Sequence, residues 1–269
     1  MKTMAQVEPR TPIEGGIITN EIVLGVAGSY YLTGNINATG TAIRIVKENI
    51  TLDLNGFSLT GGATDIGVHV DGRPGAALGN VTVKNGRVTG SSDQAVQFDP
   101  VSGQCSGNVI RECTVSEPFF SCIYIVPASG GQCDGNTIDR CTFSRTDNGS
   151  AVSVFTLGGS FNGNVIRGCA MTDLSSGVSL SGSTGELRNC TVADCVIETM
   201  GGSGINIFPP AHGNLIKNNV IRSPTDQGIW VASSTGNRVE NNHITGTGES
   251  PDSTTACDPP MRASVCSKG

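Results

Sequence analysis

The residues best equipped for chemistry fall in two short phrases, "VHVDGR" at 68–73 and "FDPV" at 98–101. The first supplies His69, Asp71 and Arg73, and the second supplies Asp99. Two carboxylates held about 5 Å apart, with an imidazole beside them and a guanidinium in reach, have the make-up of a general acid and base. The same pair could instead give oxygen ligands to a cation, with Ca2+ at Asp71 and Asp99 as the ion to consider. The competing reading is that both aspartates cap turns, accepting hydrogen bonds from backbone amides. Everything turns on whether two residues 28 positions apart are neighbours in space.

The chain does return on itself at about that interval. "GNVIRECTV" at 107–115 recurs as "GNTIDRCTF" at 135–143 and "GNVIRGCAM" at 163–171. Extended along the chain, the repeat gives a column at Asn55, Asn85, Cys113, Cys141, Cys169, Cys195, Asn219 and Asn242. A second column runs through Arg44, His69, Gln97, Tyr124, Ser153, Ser179, Asn206 and Trp230, each set between two apolar residues and preceded by a small-residue position. Apolar residues on either side of a polar one are the alternation of a strand with one buried face. Asp71 and Asp99 each lie two residues beyond this column, so coils stacked in register would put them side by side, about 4.8 Å apart.

A self-similar unit of this length, built of short β patterns broken by Gly, Asn and Asp, marks a solenoid. Gly accounts for 37 of 269 residues, aromatics for 4% and charged residues for 15%, a composition suited to many short strands and turns rather than long helices. The rungs "NITLDLNGFSLTG" (49–61) and "NVTVKNGRVTG" (80–90), with the Gly-Asn phrases after them, resemble right-handed parallel β-helix proteins of the pectin-lyase-like class over about residues 30 to 246. The resemblance implies an all-β, right-handed parallel β-helix of about eight to nine coils. Residues 1–29 would form an N-terminal cap segment, 30–248 the β-helix and 249–269 an irregular C-terminal tail. It also implies an inward asparagine ladder after each turn, here replaced by cysteine on four middle coils.

Buried cysteine packs as a small apolar residue, so this column reads as a thiol ladder. Ligands spaced evenly along a line cannot converge tetrahedrally on one ion, and no metal centre is expected there. Cys105 in "GQCSGN" and Cys133 in "GQCDGN" lie in what read as loops and are candidates for a disulfide. Cys257 and Cys266 are candidates for another, closing a short loop in the tail of an exported protein. Cys122 and Cys190 have no evident partner. Beside the ladder, charges of alternating sign such as Arg111, Asp139 and Arg167 read as exposed ion-pair stacks.

A net charge of −6 with no Lys/Arg cluster argues against nucleic acid as a partner. No apolar run approaches the roughly 18 residues needed to span a bilayer. The residues at 212–213 and 44–47 are loose, misordered echoes of polygalacturonase-like motifs, and no specific enzyme family is matched. Among outward residues, Tyr124 and Trp230 can offer aromatic platforms to sugars, four coils or roughly 19 Å apart. The expectation is an exported or cell-surface β-helix that binds or processes an extracellular polysaccharide at His69, Asp71, Asp99 and Arg73. The alternative is a non-catalytic structural protein that self-assembles through its ends or sides into a homo-oligomer, fibre or surface layer. A third reading is a trimeric phage or adhesin module that recognises a host glycan.

Overall fold

The computed structural model describes residues 9–246 apart from 63–64, 73–76, 91–92, 101 and 147. Its named strands pair only with strands of neighbouring coils, and every such pairing is parallel. One sheet of eighteen strands and one of ten run the length of the stack, with a two-stranded ribbon on a third side. The interior is a pile of aliphatic side chains. Ile43, Val68, Val96, Ile123, Val152, Val178 and Ile205 succeed one another on one wall, all buried. Removing such chains from water, at about 25 cal/mol per Å2 of apolar surface, is the main driving force for coiling.

The second column of the sequence is reproduced residue for residue. Arg44, His69, Gln97, Tyr124, Ser153, Ser179, Asn206 and Trp230 are register partners on successive strands of the ten-stranded sheet, and Val23 extends the column backwards.

Three corners per coil are made by residues with left-handed backbone. One corner runs through Asn80, Gly107, Gly135, Gly163, Asn189, Gly213 and Gly236, so the Gly of the Gly-Asn phrase takes the conformation that L side chains resist. The Asn of the phrase then forms a ladder. Asn136 Oδ1 accepts from the amide of Asn108 at 2.9 Å, and Asn164 Oδ1 accepts from the amide of Asn136 at 2.7 Å. Asn237 Oδ1 accepts from Asn214 at 2.9 Å. Cys190 stands in this ladder, its amide donating to Asn214 Oδ1 at 2.9 Å and its thiol 3.9 Å from Asn164 Nδ2.

A second corner carries Asn55, Asn85, Glu112, Arg140, Gly168, Asp194, Asn218 and Asn241. This corrects the alignment of Asn55 and Asn85, which belong to the corner and not to the cysteine column. Cys113 is the register partner of Gly86. A Cβ on Gly86 would lie 2.3 Å from that of Leu54, so Leu54 fills the interior that cysteine fills further along. From Cys195 the column passes to asparagine: Asn219 Oδ1 accepts from the Cys195 amide at 3.0 Å, and Asn242 Oδ1 from the Asn219 amide at 2.9 Å.

Two further expectations change. The coils begin before residue 30: Arg10–Ile13, Gly16–Ile18 and Ile22–Leu24 pair in parallel with Gly28–Leu32, Ile36–Ala38 and Ile43–Ile45. Residues 10–24 are therefore a coil, recognisable by buried Ile13 and Leu24 but lacking the Gly-Asn phrase. Cys105 and Cys133 are free thiols, and both are fully buried. They are core residues rather than loop residues, Cys105 lying in the strand Gln104–Ser106 with its amide bonded to Gln132 O at 2.7 Å. Side chains one in-register coil apart sit near the strand spacing of about 4.8 Å, wider than the Cβ separation a disulfide requires. Cys257, Cys266 and the tail lie outside the described residues.

Candidate functional site

His69 and Asp71 lie on the strand Val68–Asp71, between Ile43–Ile45 and Val96–Asp99. Alternation along that strand turns Val68 and Val70 into the core and leaves His69 half-buried on the outer face. Asp71 is the register partner of Asp99 and His69 that of Gln97. The sequence-level expectation that the two aspartates stack therefore holds in the backbone. Arg73 lies outside the described residues.

The structure brings Arg44, the head of the same column, and Glu21 into the site. Arg44, the register partner of His69, places Nη1 3.5 Å from Asp71 Oδ2 and forms an ion pair with Glu21. Asp71 is thus a nearly buried carboxylate beside a cation. Asp99 is placed differently. Burial pushes its carboxyl above the ordinary range and the charge of Asp71 pushes the same way, against the opposing pull of His69. Burial draws His69 below its ordinary value, outweighing Asp71 and Asp99. Its imidazole is therefore neutral at neutral pH, with Nε2 buried and without a hydrogen-bond partner among the described residues. Tyr124 joins from the next strand, its hydroxyl shifted upward by burial and by Asp93 and Asp99.

The two stacked carboxyl groups therefore have different neighbours: Arg44 beside Asp71, and burial with a nearby carboxylate around Asp99. Asp99 is the one of the pair whose carboxyl is raised by burial. Asp71 lies beside the Arg44 guanidinium, 3.5 Å from its Nη1. No group of three or more His, Cys, Asp or Glu side chains suited to a metal ion occurs among the described residues.

Tyr124 and Trp230 are on the same outer face, with Ser153, Ser179 and Asn206 as the intervening register partners. Trp230 packs edge-on against Phe208, ring centres 4.8 Å apart. Phe208 and Phe155 belong to the neighbouring outward column, the one that carries Asp71 and Asp99. Phe155 pairs with Ser181, and the Phe208 amide bonds Leu180 O at 2.9 Å. Counting two residues on from every member of the His69 column would have found both.

Most of the buried thiols are held protonated; the exception is Cys195 at the end of the cysteine ladder, whose thiol is drawn below its ordinary value by its hydrogen bond with Cys169 although it is buried. Cys113 is driven up by its hydrogen bond with Cys141 and by burial, Cys122 by burial, and Cys190 to about 11, chiefly by burial. A protonated, buried thiol is a poor nucleophile and a poor metal ligand.

A family model described as a right handed beta helix region matches residues 133–251. Among solved structures, the enzymatically active domain of tailspike protein 2 from bacteriophage CBA120 superposes with a TM-score of 0.64 at 13% identity. That match covers 88% of this chain and 38% of the tailspike chain, so the present chain spans well under half of its length. Pectate lyase Pel9A gives a TM-score of 0.63 at 14% identity, covering 92% of this chain and 72% of the lyase. ORF18 of Geobacillus virus E2 gives 0.53 at 10% identity, covering 87% and 52%. No curated protein sequence matches the chain. These likenesses identify the fold as a right-handed parallel β-helix.

Proposed function

We propose that this right-handed parallel β-helix is an extracellular or cell-surface protein that binds a polysaccharide along the outer face of its ten-stranded sheet and cleaves it. In this reading Asp99 is the general acid, and Asp71, charge-balanced by Arg44, is the partnering carboxylate, with neutral His69 beside them. The observation that carries it is the pair itself: Asp71 and Asp99 are register partners, yet burial raises Asp99 while Arg44 sits 3.5 Å from Asp71. The shared fold with a pectate lyase and a phage tailspike domain supports the reading only as precedent, because one fold hosts many activities. Ca2+ at Asp71 and Asp99 would compete with Arg44 for the same charge, so we assign the balancing role to Arg44 and expect chelators to leave activity intact.

The test is release of new reducing or unsaturated ends from a panel of neutral and acidic polysaccharides by wild type, Asp71→Asn and Asp99→Asn. Turnover by the wild type and its loss in both variants is expected. Turnover that is equal in all three proteins, or absent on every substrate, removes the catalytic assignment.

One observation favours a second reading, self-association through the N-terminal end. The strands of the first coil each pair with one other strand among the described residues. Ile17 in that coil and Val26 just after it are 79% and 71% exposed. Open edges bearing apolar side chains are sites for pairing between molecules. Light scattering that finds monomers at every concentration eliminates this reading, whereas oligomers that Ile17→Lys dissolves support it.

A further inference from the structure

We infer that the polysaccharide bound on this face is uncharged, its rings lying along the coil axis on Tyr124, Phe155 and the Phe208–Trp230 pair. The inference rests on the proposal that the outer face of the ten-stranded sheet is the binding surface, and it adds the class of sugar. Two outward columns make that face. The first runs from His69 through Tyr124 and Ser179 to Trp230. The second includes Asp71, Asp99, Phe155 and Ser181, with Phe208 following the Leu180 carbonyl. From the strand Val68–Asp71 to the strand Ile229–Val231, neither column contains a lysine or an arginine.

An anionic chain needs cations along its length, because each unpaired carboxylate brought to a surface loses hydration without return. Here the charges point the other way. Asp71 and Asp99 lie on the face, and Asp65 and Asp93 lie near its margin, close enough to interact with one another. The cation of the preceding strand, Arg44, is already engaged by Glu21 and Asp71. A polyuronate would meet no lysine or arginine in either column from His69 to Trp230. Uncharged pyranose rings have the complementary chemistry: apolar C–H faces for aromatic rings and hydroxyls for the Ser179, Ser181 and Asn206 side chains. Phe155 and Phe208 are two strands apart, about 10 Å. Tyr124 stands one strand before Phe155, so the aromatic groups suit a run of sugar rings better than a single ring.

The experiment is affinity electrophoresis of the purified protein in gels containing mannan, dextran or soluble cellulose derivatives without charge, against gels containing polygalacturonate or alginate. Retardation by at least one uncharged polymer and none by the polyuronates is expected, with Phe155→Ala and Trp230→Ala each weakening retardation about tenfold. Circular dichroism of each variant reports folding. An independent arm places a cation on the face: Ser179→Lys is expected to create retardation by polygalacturonate. Salt-sensitive retardation of the wild type by a polyuronate overturns this inference while leaving polysaccharide binding in place. Retardation by uncharged polymers that survives both aromatic substitutions also overturns it, since binding would then lie elsewhere. Retardation by no polymer sinks the proposed function itself.

Discussion

Asp53 and Asp99 are two half-hidden or hidden carboxylates on one stack of coils, and their surroundings are opposite. Asp53 lies on the eighteen-stranded sheet, where the Asn55 amide and Asn85 Nδ2 donate to Oδ1 at 2.9 and 3.1 Å. Its Oδ2 lies 2.7 Å from Arg10 and 3.5 Å from Lys84. Burial alone would raise its carboxyl, but these donors and cations together hold it below its ordinary value. Asp99 has burial and a neighbouring carboxylate set against it, and its carboxyl is raised. Asp53 is surrounded by groups that favour its charge, while Asp99, the proposed acid, is left in a setting that disfavours it. The repeat supplies both, because one coil offers an aspartate partners from the coils before and after.

The largest effect expected from this contrast is on turnover. Asp99→Asn removes the proposed acid and is expected to lower the rate about a hundredfold or more, with Asp71→Asn similar. Binding of the polysaccharide should change little, so a loss confined to binding would break the assignment of Asp99 as acid.

Next comes the structural carboxylate. Asp53→Asn is expected to cost about 2 kcal/mol at pH 7, since the charge-assisted bonds are lost and Arg10 and Lys84 keep their charge. Because the folded-state carboxyl of Asp53 is depressed, its contribution is complete above the unfolded value of about 3.9 and disappears as pH falls through the folded value. The difference between variant and wild type should therefore close in acid. A difference that stays constant from pH 7 to pH 3 in urea unfolding would show that Asp53 acts through packing and not through charge.

Asp99 predicts the reverse sign. Its folded-state carboxyl lies above the unfolded value, so its effect on stability is favourable only at low pH and declines as pH rises between the two. Asp99→Asn is accordingly expected to melt higher than wild type at pH 7 and equally at pH 3, even as it loses activity. A lower melting temperature at pH 7 would place Asp99 with Asp53 as a structural residue.

The parts of this arrangement that the sequence revealed are those with a two-residue period. His69, Gln97, Tyr124 and their successors were aligned because each stands between buried aliphatic residues, and the stacking of Asp71 on Asp99 followed by counting. Arg44 was in the same column, but its ion pairs with Glu21 and Asp71 depend on long side chains whose reach no period encodes. Phe155 and Phe208 lie in the second outward column, which has no unbroken polar pattern to mark it, since Val126 and Ala232 also belong to it. Cys105 and Cys133 misled through their Gly-rich surroundings, which look like surface loops yet mark corners where the next residue turns inward.

The ladders show the same limit and yield the smallest prediction. The Gly-Asn phrase is plain in the sequence, but the repeating cysteines place the expected asparagine ladder one position after the second corner. The ladder through Asn108, Asn136 and Asn164 lies after the first corner instead, and Cys190 is its one cysteine among the described members from Asn108 to Asn237. At two other steps the next asparagine accepts from both the amide and the side chain of the one before, as Asn164 Oδ1 does from Asn136 at 2.7 and 3.0 Å and Asn237 Oδ1 from Asn214 at 2.9 and 3.0 Å. At Cys190 that acceptor is a sulfur atom 3.9 Å from Asn164 Nδ2, a weak partner. Cys190→Asn is close in volume and restores the oxygen, so it is expected to stabilise the fold by about 0.5 kcal/mol. Asn164→Cys, which extends the break, should destabilise it. If urea unfolding shows both substitutions destabilising, the thiol at Cys190 is there for its packing against the Phe161 and Arg188 carbonyls, 3.3 and 3.4 Å away, and the ladder tolerates sulfur without loss.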